Sequence, residues 1–218
     1  MPQRQLTQVE RTEAAKTRIR AAALELFALK GYEAATLAEV SLRAGFSRAL
    51  AQYHYGDKSA LAVELLDARM RRDLHAEMLA CPPGAKPQDA WARLMAHLDA
   101  SWEHYRKAHV EGQGGLKVRG EIVLQQAASI SADPKMAERL NALTAGLVSR
   151  VAHVLEICRQ AGFIRAEVDV QSAAVFYVHT IWGLASALFA NPRGEPQLAG
   201  AVGVLRGALE GLRAEGGR

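Results

Sequence analysis

Arg48 and Gln52 stand four residues apart in the run Ser47-Arg-Ala-Leu-Ala-Gln-Tyr-His-Tyr55, the spacing that makes two side chains neighbours on one helix face. A guanidinium there bonds O6 and N7 of a guanine, and a carboxamide pairs with the edge of an adenine or with a phosphate. Ala49 and Tyr53 share that face, while Leu50 and His54 fall on the opposite one. The chemistry this pattern offers is recognition of a duplex and not bond-making.

Such a face needs a second helix behind it. Thr36, followed three residues later by Glu39, is a capping box that starts a helix. Leu37, Val40 and Ala44 then recur at helical steps and predict its buried side. Gly45 supplies the left-handed residue that ends this helix, and Ser47 is placed to cap the next. The sum is a helix-turn-helix, whose second helix enters the major groove of DNA.

The residues Phe27, Gly31, Tyr32, Thr36, Val40, Ala44-Gly45-Phe46-Ser47, Tyr53-His54-Tyr55-Gly56-Asp57-Lys58 and Leu61 carry a family resemblance. In this order they resemble the N-terminal domain of the tetracycline-repressor (TetR) family, over about residues 11–66. The resemblance implies that Thr36, Ser47, Tyr53, His54 and Lys58 hold the sugar-phosphate backbone beside Arg48, Ala49 and Gln52. It also implies a homodimer joined through its last two helices, and a small-molecule inducer bound in the larger C-terminal part. The chain departs from the family pattern at Ser41, where a small apolar residue is usual, at Phe46 in the turn, and at Gln52, where Tyr is frequent. A basic residue that begins the second helix in the tetracycline repressor is Ala38 here, so that contact should be missing.

Composition fits this reading. The 218 residues, half of them hydrophobic, can fill one sizeable domain or two small ones. Through residue 60 there are nine Lys/Arg against six Asp/Glu, and 18 against 17 in the rest, so the excess positive charge lies where phosphates would be met. Cys81 and Cys158 have no metal-ligand spacing and read as buried hydrophobes or idle thiols, with a redox sensor as the lesser alternative. The N-terminus is polar, and no secretory leader is expected. The longest apolar run, residues 173–190, would reach about 27 Å as a helix, against about 30 Å of hydrocarbon. It contains His179, Thr180 and Ser186 and reads as a buried helix, so a cytoplasmic protein with no membrane partner is expected.

The fold class that follows is all-α, with about nine helices: a helix-turn-helix domain over 1–60 and a helical ligand-binding and dimerisation domain over 61–218. A first helix should run over about 10–29 with Ile19, Ala23, Leu26 and Phe27 inward, and a fourth over 58–79, bringing Leu74 and Met78 to the larger domain. Further helices are predicted over 88–108, 116–130, from Pro134 to about Gly162, 169–190, and from Pro196 to about Ala214. The eighth is apolar nearly all round, which predicts burial on several sides. In the ninth, Val202, Leu205, Leu209 and Leu212 share one face, and Gly200, Gly203, Gly207 and Gly211 nearly the opposite one. Each glycine costs about 1 kcal/mol relative to alanine, so this face should meet another helix backbone closely, most simply that of a partner subunit.

Ligand candidates are the polar and aromatic residues of the C-terminal part: Trp102, Tyr105, His109, Arg119, Gln126, His153, Phe176, Tyr177, His179 and Trp182. They suit a largely apolar pocket with a few orienting groups. His179 and Trp182 stand out, because a buried imidazole or indole N–H needs a partner. No phosphate loop, nucleophile elbow or HExxH motif occurs, and the histidines show no metal pattern, so no catalysis, cofactor or metal is expected. The leading function is a homodimeric repressor of a near-palindromic operator released by an inducer. The alternatives are a regulator that needs no ligand or is co-repressed, and an enzyme carrying a helix-turn-helix.

Overall fold

A computed structural model describes residues 7–71, 76–112, 115–191 and 193–214. Among them are nine α-helices and no strand: α1 Gln8–Lys30, α2 Leu37–Arg43, α3 Leu50–Tyr55, α4 Lys58–Arg71, α5 Pro87–Val110, α6 Leu116–Ser129, α7 Pro134–Gln160, α8 Val170–Ala190 and α9 Glu195–Glu210. The chain packs as two units. One combines Met1–Arg69 with Gly112–Leu140, the other Met70–Glu111 with Asn141–Arg218.

In the first unit, local signals act where the sequence placed them. Thr36 and Glu39 form both bonds of the capping box at α2, and Gly45 ends that helix at φ +78°. Leu37, Val40 and Ala44 are buried on one face. Asp57 Oδ1 accepts the Ala60 N–H at 2.7 Å at the start of α4. α1 buries Ile19, Ala22, Ala23, Leu24, Phe27 and Ala28, a broader face than the expected stripe, and Leu26 is only half-buried. The cause is α6, which packs along α1 so closely that a Cβ on Gly120 would lie 1.9 Å from the Leu24 carbonyl oxygen. Each large side chain buried in this way stabilises by about 1.5–3 kcal/mol.

Two expectations need correction here. Ser47 does not cap α3 through its side chain: that helix begins at Leu50 behind Ala49, without a side-chain cap, and Ser47 contributes its carbonyl to the Leu50 N–H at 3.1 Å. The short turn at Arg48-Ala49 moves the helix start past the reach of the serine hydroxyl. The fourth helix is described only to Arg71. A separate 3-10 turn, Ala76–Leu79, holds Met78, and Leu74 lies outside the described residues.

The second unit is built on α5, α8 and α9, which pack pairwise. Leu94 and Leu98 of α5, Val154 and Leu155 of α7, Tyr177 and Val178 of α8 and Leu205 and Leu209 of α9 fill its core. Asp169 caps α8, accepting N–H groups of Gln171 and Ser172. After α9 the chain is pinned against the α7–α8 loop: Arg165 N–H donates to Leu212 O at 2.9 Å and Ala214 N–H to Phe163 O at 3.1 Å. Trp91 Nε1 adds a bond to Glu210 at 3.2 Å.

α8 is not buried on several sides within the chain. Ala174, Tyr177, Val178, Ile181, Ala185 and Leu188 face the core, whereas Val175, Phe176, His179 and Gly183 are exposed. By length and composition this helix could also cross a membrane. The glycine face of α9 is likewise open: outside its own helix, a Cβ at Gly200, Gly203 or Gly207 would meet no described residue within 4 Å. Val202, Leu205 and Leu209 are the buried side, as the periodicity predicts.

Candidate DNA-binding surface and ligand residues

The turn between α2 and α3 presents Ser47, Arg48 and Ala49 to solvent, and α3 presents Gln52 and Tyr53. Tyr53, an aromatic residue, is 82% exposed, and its ring stands edge-on to that of half-buried His54 at 5.3 Å. Behind them, Arg18 of α1 stacks over the Phe46 ring at 4.5 Å, a cation–π contact that covers the large side chain of the turn.

Most cations of this module are already engaged. Arg20 pairs with Glu64, Lys30 with Glu39 at 2.6 Å and Arg43 with Glu25 at 2.8 Å. The Lys30 ammonium, with the Thr36 hydroxyl and N–H, holds the Glu39 carboxyl down at about 2. Arg48 has no hydrogen bond or ion pair with another described residue, and its guanidinium is exposed. A charge left unpaired in the exposed turn that leads into α3 is free to meet a base edge or a phosphate.

Three of the expected contact residues hold bonds inside the protein. Lys58 Nζ donates to the Tyr32 carbonyl at 2.8 Å and the Glu33 carbonyl at 2.9 Å, and lies over the Tyr32 ring. The loop before α2 offers two carbonyls with no helical partner, and the ammonium satisfies both. Thr36 Oγ1 donates to Glu39 Oε2 at 2.7 Å. Gln52 Nε2 donates to the Gly56 carbonyl. A phosphate or base reaches any of these groups by displacing the bond that holds it.

Among the ligand candidates, Tyr105 and Tyr177 are buried, while Trp102, His109 and Trp182 are half-buried. His109 meets Phe189 edge-on at 5.9 Å. Tyr177 OH and His97 Nδ1 lie 2.6 Å apart in the core; burial first, and the Asp99 charge after it, push the Tyr177 phenol up. His97 escaped the sequence reading, although its position between Leu94 and Leu98 on the apolar stripe marked it as an inward residue.

The remaining candidates face outward. His179 is exposed, and its Nδ1–H donates to the Val175 carbonyl at 2.9 Å, so the expectation of a buried imidazole is corrected. Phe176 and His153 are exposed as well. In the first unit Arg119 and Gln126 lie on the outer side of α6. The inward residue there is Gln125, whose Oε1 is buried without a hydrogen-bond partner. One residue of register, 100° around a helix, separates it from the expected Gln126. Cys158 donates to the Pro87 carbonyl at 3.5 Å and burial pushes its thiol up to about 12, so it is a packed and unreactive thiol.

Residues 19–65 match the model of a family described as bacterial regulatory proteins, tetR family. No curated protein is similar enough to match the chain. Among solved structures, a TetR-family transcriptional regulator from Pectobacterium atrosepticum is 18% identical, with 96% of this chain and 98% of that one covered and a TM-score of 0.63. SmeT, the repressor of the Stenotrophomonas maltophilia multidrug efflux pump SmeDEF, is 17% identical over 95% and 94%, with a TM-score of 0.70. A SmeT–triclosan complex is equally similar, 17% identical over 94% of each chain with a TM-score of 0.70. At such identities these structures speak for the fold, and the family is carried by the matched segment around the capping box and turn. The helix-turn-helix of this chain, residues 19–65, is thus similar to the DNA-binding domain of the tetR family of bacterial regulatory proteins.

Proposed function

We propose that the protein is a homodimeric repressor that reads a near-palindromic operator through Arg48 and Gln52 and is released by a small-molecule inducer. The observation that carries the reading is the recognition face, where Arg48 stands exposed and unpaired while neighbouring cations are bound to carboxylates. One helix-turn-helix per chain calls for two chains to bind two half-sites. The open faces of α8 and α9, lined by Val175, Phe176, Gly203 and Gly207, support a partner copy there. Burial of such a face by a second chain also accounts for the apolar surface of α8 without a membrane, and a cytoplasmic location follows from binding DNA. The inducer is assigned to the helical unit that holds Trp102, Tyr105 and Tyr177; SmeT, of the same fold, is known as a complex with triclosan.

The test begins with duplexes selected from random DNA by the wild-type protein. Arg48→Ala should lose about 1–3 kcal/mol of discrimination per half-site, with sedimentation showing two chains per duplex. Equal loss on selected and scrambled duplexes would make Arg48 a backbone contact. A ligand found by thermal shift should then release the selected duplex; a ligand that tightens it makes the protein a co-repressed regulator.

A further inference from the structure

Ser41 sits on the inner side of α2, a fully buried polar residue between Val40 and Ala44. Its Oγ accepts the Ala51 N–H at 2.8 Å, and its carbonyl accepts the Phe46 N–H at 2.9 Å. One residue thus holds the turn through its main chain and the recognition helix through its side chain. That helix needs the help. α3 has six residues and no side-chain cap of its own, and the first N–H groups of any helix lack partners inside it. Ala51 is itself fully buried, so water has no access to replace the serine oxygen.

From this geometry we infer that Ser41 is a positioning residue for DNA readout: it caps the recognition helix from the helix behind it and sets the aim of Arg48 and Gln52. The inference rests on the DNA-binding reading above. A hydrogen bond fixes distance and direction together, whereas a methyl group in the same place fixes only a spacing. Ala51 lies one residue before Gln52 on α3 and three after Arg48 in the turn that leads into it, so a tilt of α3 about this point moves Gln52 directly and Arg48 through the turn. Base edges demand placement within about 0.5 Å and 10–20°. Phosphate contacts hold the protein on any duplex and carry no sequence information. Loss of the bond therefore removes discrimination ahead of general affinity.

The test compares Ser41→Ala and Ser41→Cys with wild type. The cysteine keeps nearly the volume of serine and offers only a weak acceptor, so it separates the hydrogen bond from the packing if the alanine chain folds poorly. Binding is measured to a duplex selected by the wild-type protein and to its scrambled version, with hydrogen exchange of the Ala51 amide followed in parallel. Both variants should lose about tenfold or more on the selected duplex, as one misaimed base contact would. The scrambled duplex should change by less than about twofold and keep its salt slope, because phosphate contacts persist. The Ala51 amide should lose protection. Equal losses on both duplexes, or no loss on either, would reduce Ser41 to a structural residue and overturn the inference. If the wild-type protein selects no duplex, the DNA-binding reading itself fails, and the Ala51 amide still reports whether Ser41 caps α3.

Discussion

Gly120→Ala is the substitution on which the packing of the first unit can be judged. An alanine Cβ there would lie 1.9 Å from the Leu24 oxygen, 2.6 Å from its carbonyl carbon and 2.8 Å from its Cα. All three are backbone atoms, so no side chain can swing aside. Restoring an ordinary contact of about 3.4 Å means moving α6 off α1 by more than 1 Å, a gap that forfeits about half or more of each dispersion contact across the interface. Overpacking of this kind costs about 1–3 kcal/mol, while alanine regains about 1 kcal/mol of helix propensity. A backbone obstacle belongs at the upper end of that range, leaving a net loss of about 2 kcal/mol, roughly 30-fold in the folded-to-unfolded ratio. Urea unfolding at fixed protein concentration measures it. Gly203→Ala is the control: outside its own helix no described residue lies within 4 Å of its added Cβ, so a partner subunit on this face is what would oppose its propensity gain. A Gly120→Ala midpoint equal to or above that of wild type would refute the close α1–α6 packing.

The buried Gln125 Oε1 without a partner costs desolvation that an apolar side chain of similar shape avoids, so Gln125→Met should raise stability by about 1 kcal/mol in the same urea assay; a lower midpoint would reveal a donor bound to that oxygen. Glu39 titrates near 2 in the folded chain against 4.5 for the free group, held down first by Lys30 and then by Thr36. A depressed carboxyl contributes stability that is complete above the unfolded value and lost as pH falls from about 4.5 through about 2. Side-chain NMR titration should place its midpoint there, and Glu39→Gln should flatten that part of the acid unfolding curve.

Much of the helix-turn-helix was legible because its signals span a single helical turn. The Thr36–Glu39 box, the positive φ of Gly45 and the face formed by Leu37, Val40 and Ala44 depend on neighbours within a few residues, and backbone sterics enforce them whatever the rest of the chain does. The same holds for Asp57 and Asp169 at their helix starts and for the buried side of α9. Sequence alone therefore determined the all-helical class, the exposed face of the helix-turn-helix and the family resemblance. It could not say where a long side chain would find its partner. That Lys58 also holds the Tyr32 and Glu33 carbonyls is not legible in the sequence, and Ser41 reads as a packing change until Ala51 N–H arrives from the next helix. Tertiary structure decided that α6 lies on α1, that Gln125 and not Gln126 points inward, and that α8 turns His179 outward. Periodicity marks an apolar face without naming what covers it, since hydrophobic burial is non-directional; hydrogen bonds between distant segments exist only once the chain has brought their donors and acceptors together.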